Sequence, residues 1–179
     1  MNRFILLLLL SLLLGSAVAA QNPASVPELF GTPENLRVVR DSDLVDACIL
    51  RHIEPAARPD GSMDWSTERY EETAFLPVSP NSSAALRYLL LDEKTYDWKA
   101  GAGGHRPQFY IRLRFHRNKE LLTLDFCFLC HVLSLSREGA ELGHANFSGN
   151  ADLILLAFKT AFPDDEPLKR LAQEAGLPP

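Results

Sequence analysis

Phe109, Ile111, Leu113 and Phe115 alternate with Tyr110, Arg112, Arg114 and His116. Alternation with period two marks a strand that has one face on a core and one toward solvent. Further on, Leu121 to Ser136 is the longest strand-like run in the chain, and it holds Cys127, Cys130 and His131. Its apolar residues fall first on even positions (Leu122, Leu124, Phe126, Phe128) and then on odd ones (Leu133, Leu135). A regular strand cannot change the parity of its core-facing set without an irregularity. A bulge or corner is therefore expected between Phe128 and Val132. Residues three apart point to opposite faces of a straight strand, but across such an irregularity Cys127 and Cys130 can share a face.

The polar break Arg117-Asn118-Lys119-Glu120 joins the two runs. A two-residue turn at Asn118-Lys119 fixes the register of a hairpin. Phe115 then faces Leu122, Leu113 faces Leu124, Ile111 faces Phe126 and Phe109 faces Phe128. The opposite face sets Tyr110 against Cys127 and Arg112 against Asp125, an ion pair worth about 0.2–1 kcal/mol. Extended past Pro107, the register puts His105 opposite Val132 and close to Cys130. His131 is expected to point away from Cys130, and His116 to be an exposed polar residue.

The remaining pattern fills in an α+β domain over residues 41–176. Leu44 to Leu50 reads as a strand with Cys48 in the core, and Tyr70 to Val78 as another. Ser79 caps a helix that starts at Pro80 and lays Leu86, Leu89 and Leu90 on one face. Glu141 to Ala145 forms a short edge strand carrying His144. Two more helices follow, over about 150–162 and 166–175, with Gly176 as the stop. The expected architecture is an antiparallel sheet built on the central hairpin, about 108–136, with the helices packed on one face. Residues 21–40, rich in Pro, Asn, Ser and Glu, read as an extended leader that ends in a short strand near Leu36-Arg37-Val38-Val39.

Residues 1–20 have the build of a signal peptide: a positive Arg3, an apolar run from Phe4 to Leu14, then small residues. The mature protein is expected to be exported and soluble, periplasmic or extracellular, with no integral membrane segment after cleavage. Loss of that segment removes one arginine and no acid, taking the formal charge from −5 to −6. A mildly acidic chain lacks the basic footprint of a nucleic-acid binder. The glycine-rich loop Gly101–His105 lacks the Lys-Ser/Thr ending of a phosphate cradle, and neither Gly-x-Ser-x-Gly nor His-Glu-x-x-His occurs. The acidic run Asp164-Asp165-Glu166 suits a helix start.

The Cys127-x-x-Cys130 pair admits three readings. Export makes a disulfide natural. A metal site would use Cys127, Cys130 and His105, with His131 or His144 as a fourth ligand, and thiolate with imidazole suits zinc or copper. Two reduced cysteines with only a packing role are the third reading. A thioredoxin-type catalyst is disfavoured, since its reactive thiol needs a helix N-terminus and this pair interrupts a strand.

Four patterns carry a resemblance: Leu90-Leu91-Asp92-x-x-x-Tyr96, Arg112-x-Arg114-Phe115, Cys127-Phe128-x-Cys130 and Phe162-Pro163. Over roughly residues 44–171 the chain resembles a group of small exported bacterial proteins of unknown function. In that group a further cysteine falls near the position of His105, and an acidic residue is usual where His131 stands. A cysteine-to-histidine exchange would keep a metal ligand and destroy a disulfide. The resemblance implies no activity. Two functions remain in view. One is a non-catalytic binding or accessory module with a structural Cys127/Cys130 pair. The other is a metal-binding or redox-responsive protein using Cys127, Cys130 and His105.

Overall fold

Ser25 and Thr32 each stand immediately before a helix, and both cap it. The structure, a computed structural model, describes residues 23–100 and 106–177. Within it, α1 (Val26–Phe30) and α2 (Pro33–Arg40) occupy the segment that composition read as an extended leader and strand. The Ser25 and Thr32 hydroxyls accept the N–H groups of Glu28 and Asn35, each at 3.3 Å. Pro27 and Pro33 sit in first turns, where a missing N–H costs nothing, and Glu28 and Glu34 favour the positive helix end. Two of the prolines in the expected leader are helix starters. Leu29, Phe30, Val38 and Val39 are buried, so the segment belongs to the core. The expected signal peptide lies outside the described residues, and so does His105.

The sheet is antiparallel throughout. Its strands are β1 (Leu44–Ile53), β2 (Arg69–Glu72), β3 (Leu76–Pro77), β4 (Ile111–Arg117), β5 (Glu120–Cys127), β6 (Val132–Arg137) and β7 (Ala140–Asn146). β2 and β3 share one side of β1, and the order continues β1-β4-β5-β6-β7. The single strand expected over Tyr70 to Val78 is thus two pieces. Between them Thr73 keeps contact with β1 by a different means. Its hydroxyl accepts the Ile49 N–H at 3.0 Å, and its own N–H donates to the Ile49 carbonyl at 3.0 Å.

The central hairpin has the expected register, with Phe115 opposite Leu122, Leu113 opposite Leu124 and Ile111 opposite Phe126. Asn118 takes φ +55° in the turn, a conformation that asparagine tolerates better than most residues. The ladder stops at Ile111, so Phe109 and Phe128 do not pair as the register implied. Tyr110 still donates its N–H to the Phe126 carbonyl at 2.8 Å, after which the chain turns toward Tyr70.

The parity change has a different cause from the expected bulge. β5 ends at Cys127, residues 128–131 reverse the chain, and β6 returns beside β5. Cys127 pairs with Val132, Phe126 with Leu133 and Leu124 with Leu135, so even positions on β5 face odd positions on β6. A four-residue hairpin loop accomplishes what one bulged strand was invoked for. It also removes the straight continuation on which the placement of His105 opposite Val132 depended. A bulge does occur one strand later. Leu135 pairs with Gly143 and Ser136 with Glu141, leaving Leu142 as the extra residue on the edge.

Among the described residues, five helices cover the apolar face: α1, α2, α3 (Pro80–Leu91), α4 (Ala151–Ala161) and α5 (Glu166–Glu174). The core joins Val45, Ala47 and Ile49 of β1 to the matching positions of β4 to β6 and to Leu86, Ile154, Phe158 and Leu168. At its centre Phe126 meets Phe147 and Phe158 edge-on, at 5.5 and 5.2 Å between ring centroids. Such pairs add about 0.5–1.5 kcal/mol beyond their burial. No helix among the described residues is long and apolar enough to cross a membrane.

Candidate functional site

The hairpin tip between β5 and β6 brings Cys127 and Cys130 together as a disulfide, with their Cα atoms 5.6 Å apart. The Cys130 N–H donates to the Cys127 Sγ at 3.3 Å. Cys127 is buried at 2% exposure, whereas Cys130 is only half-buried. His131 takes φ +53° to re-enter β6 and is exposed, with its ring edge-on to Phe147. His144 lies on β7 opposite Ser134, and its Nδ1 is 3.4 Å from Glu141. Among the described residues, no group of three or more His, Cys, Asp or Glu side chains is placed to hold a metal ion. The zinc or copper site expected of Cys127, Cys130 and His105 therefore has two sulfurs here, joined to each other, and a third ligand outside the described residues.

Between the two cysteines, the chain divides its side chains. Phe128 turns inward against Phe147 and Phe158, with centroids at 5.5 and 6.1 Å. Leu129 turns outward at 75% exposure. Together they wall a cavity of about 710 Å³. Its other sides are the end of β1, residues 108–110 and α5. The cavity exists because two strands part company. β1 runs on past Leu50 beside β2, while the chain before Ile111 leaves the β1–β4 ladder. Phe109, Phe128, Leu129 and Leu171 supply apolar surface.

Polar groups converge on the same space. Tyr110 donates its hydroxyl to Asp165, whose carboxylate also accepts the Leu168 N–H that begins α5, at 2.9 Å. Burial and the Asp165 carboxylate hold the Tyr110 phenol well above its ordinary range, so it stays a donor. Arg51 and Arg170 also line the cavity. Their guanidinium groups make no hydrogen bond or salt bridge with another described residue, although Arg51 acts electrostatically on Tyr110 and Arg170 on Glu166. The side chains of Arg112, Arg114, Arg117 and Arg137, by contrast, are all paired. His52 stands at one end, its Nε2 fixed 2.9 Å from Glu68, which also binds Arg106 at 2.6 Å. Among the described residues the lining includes no serine, threonine or cysteine. Apolar walls with a few placed polar groups are the usual make-up of a small-ligand pocket.

The opposite face of the sheet is a layer of paired charges. Arg112 binds Asp125 through two bonds of 2.7 Å, as the hairpin register required, and also reaches Glu72. Arg114 binds Asp46 through two bonds of 2.8 Å and lies under the Phe75 ring, 3.2 Å from its centroid. His116, expected to be exposed, is half-buried and 3.2 Å from the same Asp46. Burial works to raise the Asp46 carboxyl, but the bonds to Arg114 and His116 outweigh it and hold the group below the usual carboxylate range. Cys48 is fully buried as expected, yet it belongs to this face, one residue out of phase with Ala47 and Ile49. Burial, reinforced by Glu72, pushes its thiol up to about 12 against the pull of Arg112 and Arg114.

Sequence reading found the two cysteines but missed the cavity. Tyr110 and Asp165 are far apart in the chain, and Arg51 and Arg170 carry no local pattern. The one available signal was Phe128-Leu129, apolar residues set between paired cysteines. No family model, no curated protein sequence and no solved structure matches this chain.

Proposed function

We propose that this chain is an exported binding or accessory module whose ligand site is the cavity at the end of the sheet. The Cys127–Cys130 disulfide is its structural closure, holding the tip that carries Phe128 and Leu129. The observation that carries this reading is the cavity itself. It has a volume in the range of ligand sites, it is apolar with convergent polar groups, and an exposed leucine stands on its rim. The leader expected at residues 1–20 and the resemblance to small exported proteins support the compartment. A disulfide closing so short a loop removes only about 2 kcal/mol of unfolded-chain entropy, so its value here is local shape more than global stability.

The test uses 8-anilinonaphthalene-1-sulfonate, an amphiphilic anion suited to apolar walls beside two unpaired guanidinium groups. Saturable fluorescence is expected with the native protein. It should fall at least fivefold in affinity in Leu129→Asp and in Arg170→Glu, both exposed positions that leave the core intact. Equal affinity in both variants would refute the site.

A further inference from the structure

We propose that the Cys130 Sγ is an exchange site, the atom at which a vicinal dithiol opens the Cys127–Cys130 bond and thereby alters the rim of the cavity. The exchange step follows from the asymmetry of the pair. The effect on the cavity rests on the binding-module reading above.

Thiol–disulfide exchange needs an accessible sulfur to attack and a stabilised sulfur to leave. Cys130 is half-buried in the turn, while Cys127 closes β5 at 2% exposure. An incoming thiolate therefore meets the Cys130 sulfur first. The departing Cys127 sulfur already faces the Cys130 N–H at 3.3 Å, a donor that strengthens as negative charge collects there. A thiolate of the dithiol attacks the Cys130 Sγ, the bond between the two cysteines breaks, and Cys127 leaves with the electron pair. The second thiol then attacks the dithiol's own sulfur in the mixed disulfide and releases Cys130. The dithiol ends as a disulfide, and its two protons end on Cys127 and Cys130. Cys48 takes no part, being fully buried on the other face of the sheet.

Opening the bond leaves much of the tip in place. Phe128 stays seated between Phe147 and Phe158, and β5 and β6 remain paired from Cys127 and Val132 onward. The released part is Leu129-Cys130, and Leu129 is the exposed wall of the cavity. Reduction therefore acts on the ligand site without unfolding the domain.

Two measurements on the folded full chain test this. The first treats the oxidised protein with glutathione, quenches with acid, alkylates and locates the adduct by mass spectrometry. The adduct is expected on Cys130 in at least tenfold excess over Cys127. An adduct on Cys127, or opening only in denaturant, overturns the exchange site. The second compares anilinonaphthalenesulfonate affinity before and after dithiothreitol, with a Cys127→Ser, Cys130→Ser double variant as the open reference. At least a threefold change is expected on reduction, matched by the double variant, with unaltered far-UV circular dichroism. Equal affinity in both states overturns the link to the cavity. Binding in neither state refutes the binding-module reading instead and leaves the adduct to decide the exchange site.

Discussion

Tyr110 and Asp165 lie 55 positions apart in the chain, and a single hydrogen bond between them ties the segment entering β4 to the first turn of α5. The same carboxylate caps that helix through Leu168. Removing the phenol should therefore loosen the mouth of the cavity but leave the helix cap. Tyr110→Phe is expected to lower stability by about 1.5–3 kcal/mol, as for a bond to a charged acceptor. Urea unfolding checks this, and an unchanged midpoint would show the bond to be idle.

The charge layer on the second face predicts an acid limit. Asp46 titrates below its unfolded range, so its contribution is complete above about pH 4 and is lost as pH falls through the lower folded value. Asp46→Asn should weaken the acid dependence and cost about 2 kcal/mol at neutral pH, because Arg114 and His116 lose their shared partner. The full cost of a buried pair is discounted here, since the Arg114 side chain keeps 25% of its surface. Unfolding free energy measured from pH 2 to 7 tests both parts.

Cys48 predicts the alkaline limit. Its thiol is raised from an ordinary 9.0 to about 12, so its contribution is complete below pH 9 and is lost progressively between pH 9 and 12. Replacing it in Cys48→Ala should flatten the decline over that interval. Native protein at pH 8 should resist iodoacetamide at Cys48 and react once unfolded. Prompt labelling of the native thiol would contradict its burial.

The division of labour within the tip is testable by size. Phe128→Ala opens a space among Phe126, Phe147 and Phe158 and should cost about 3–4 kcal/mol. Leu129→Ala, at an exposed position, should stay within about 0.5 kcal/mol. Similar losses at both positions would mean that the tip does not separate anchor from rim.

What the sequence made legible was periodic. The β4–β5 register and the Arg112–Asp125 pair follow from spacing two, and the helices after Asn150 from spacing near four. The start of α3 follows from residue type, with the Ser79 hydroxyl accepting the Ser82 N–H at 3.2 Å ahead of Pro80. The errors share a cause too. Parity in the Leu121 to Ser136 run shows that a face changes but not whether the chain bends or reverses, and the structure has a reversal where a bulge is expected. In residues 21–40 the Pro, Asn, Ser and Glu content reads as a leader, but Ser25 and Thr32 directly precede helices and cap them. The cavity left no periodic trace, because residues from β1, residues 108–110, the tip and α5 meet only through tertiary packing.

The most direct measurement is an amide NMR titration of the oxidised protein with anilinonaphthalenesulfonate. A ligand site at the end of the sheet predicts saturable shifts at one equivalent, gathered on Arg51, Phe109, Leu129 and Arg170 and lost in Leu129→Asp. Shifts gathered away from those four residues, or no saturable shift anywhere, would contradict it.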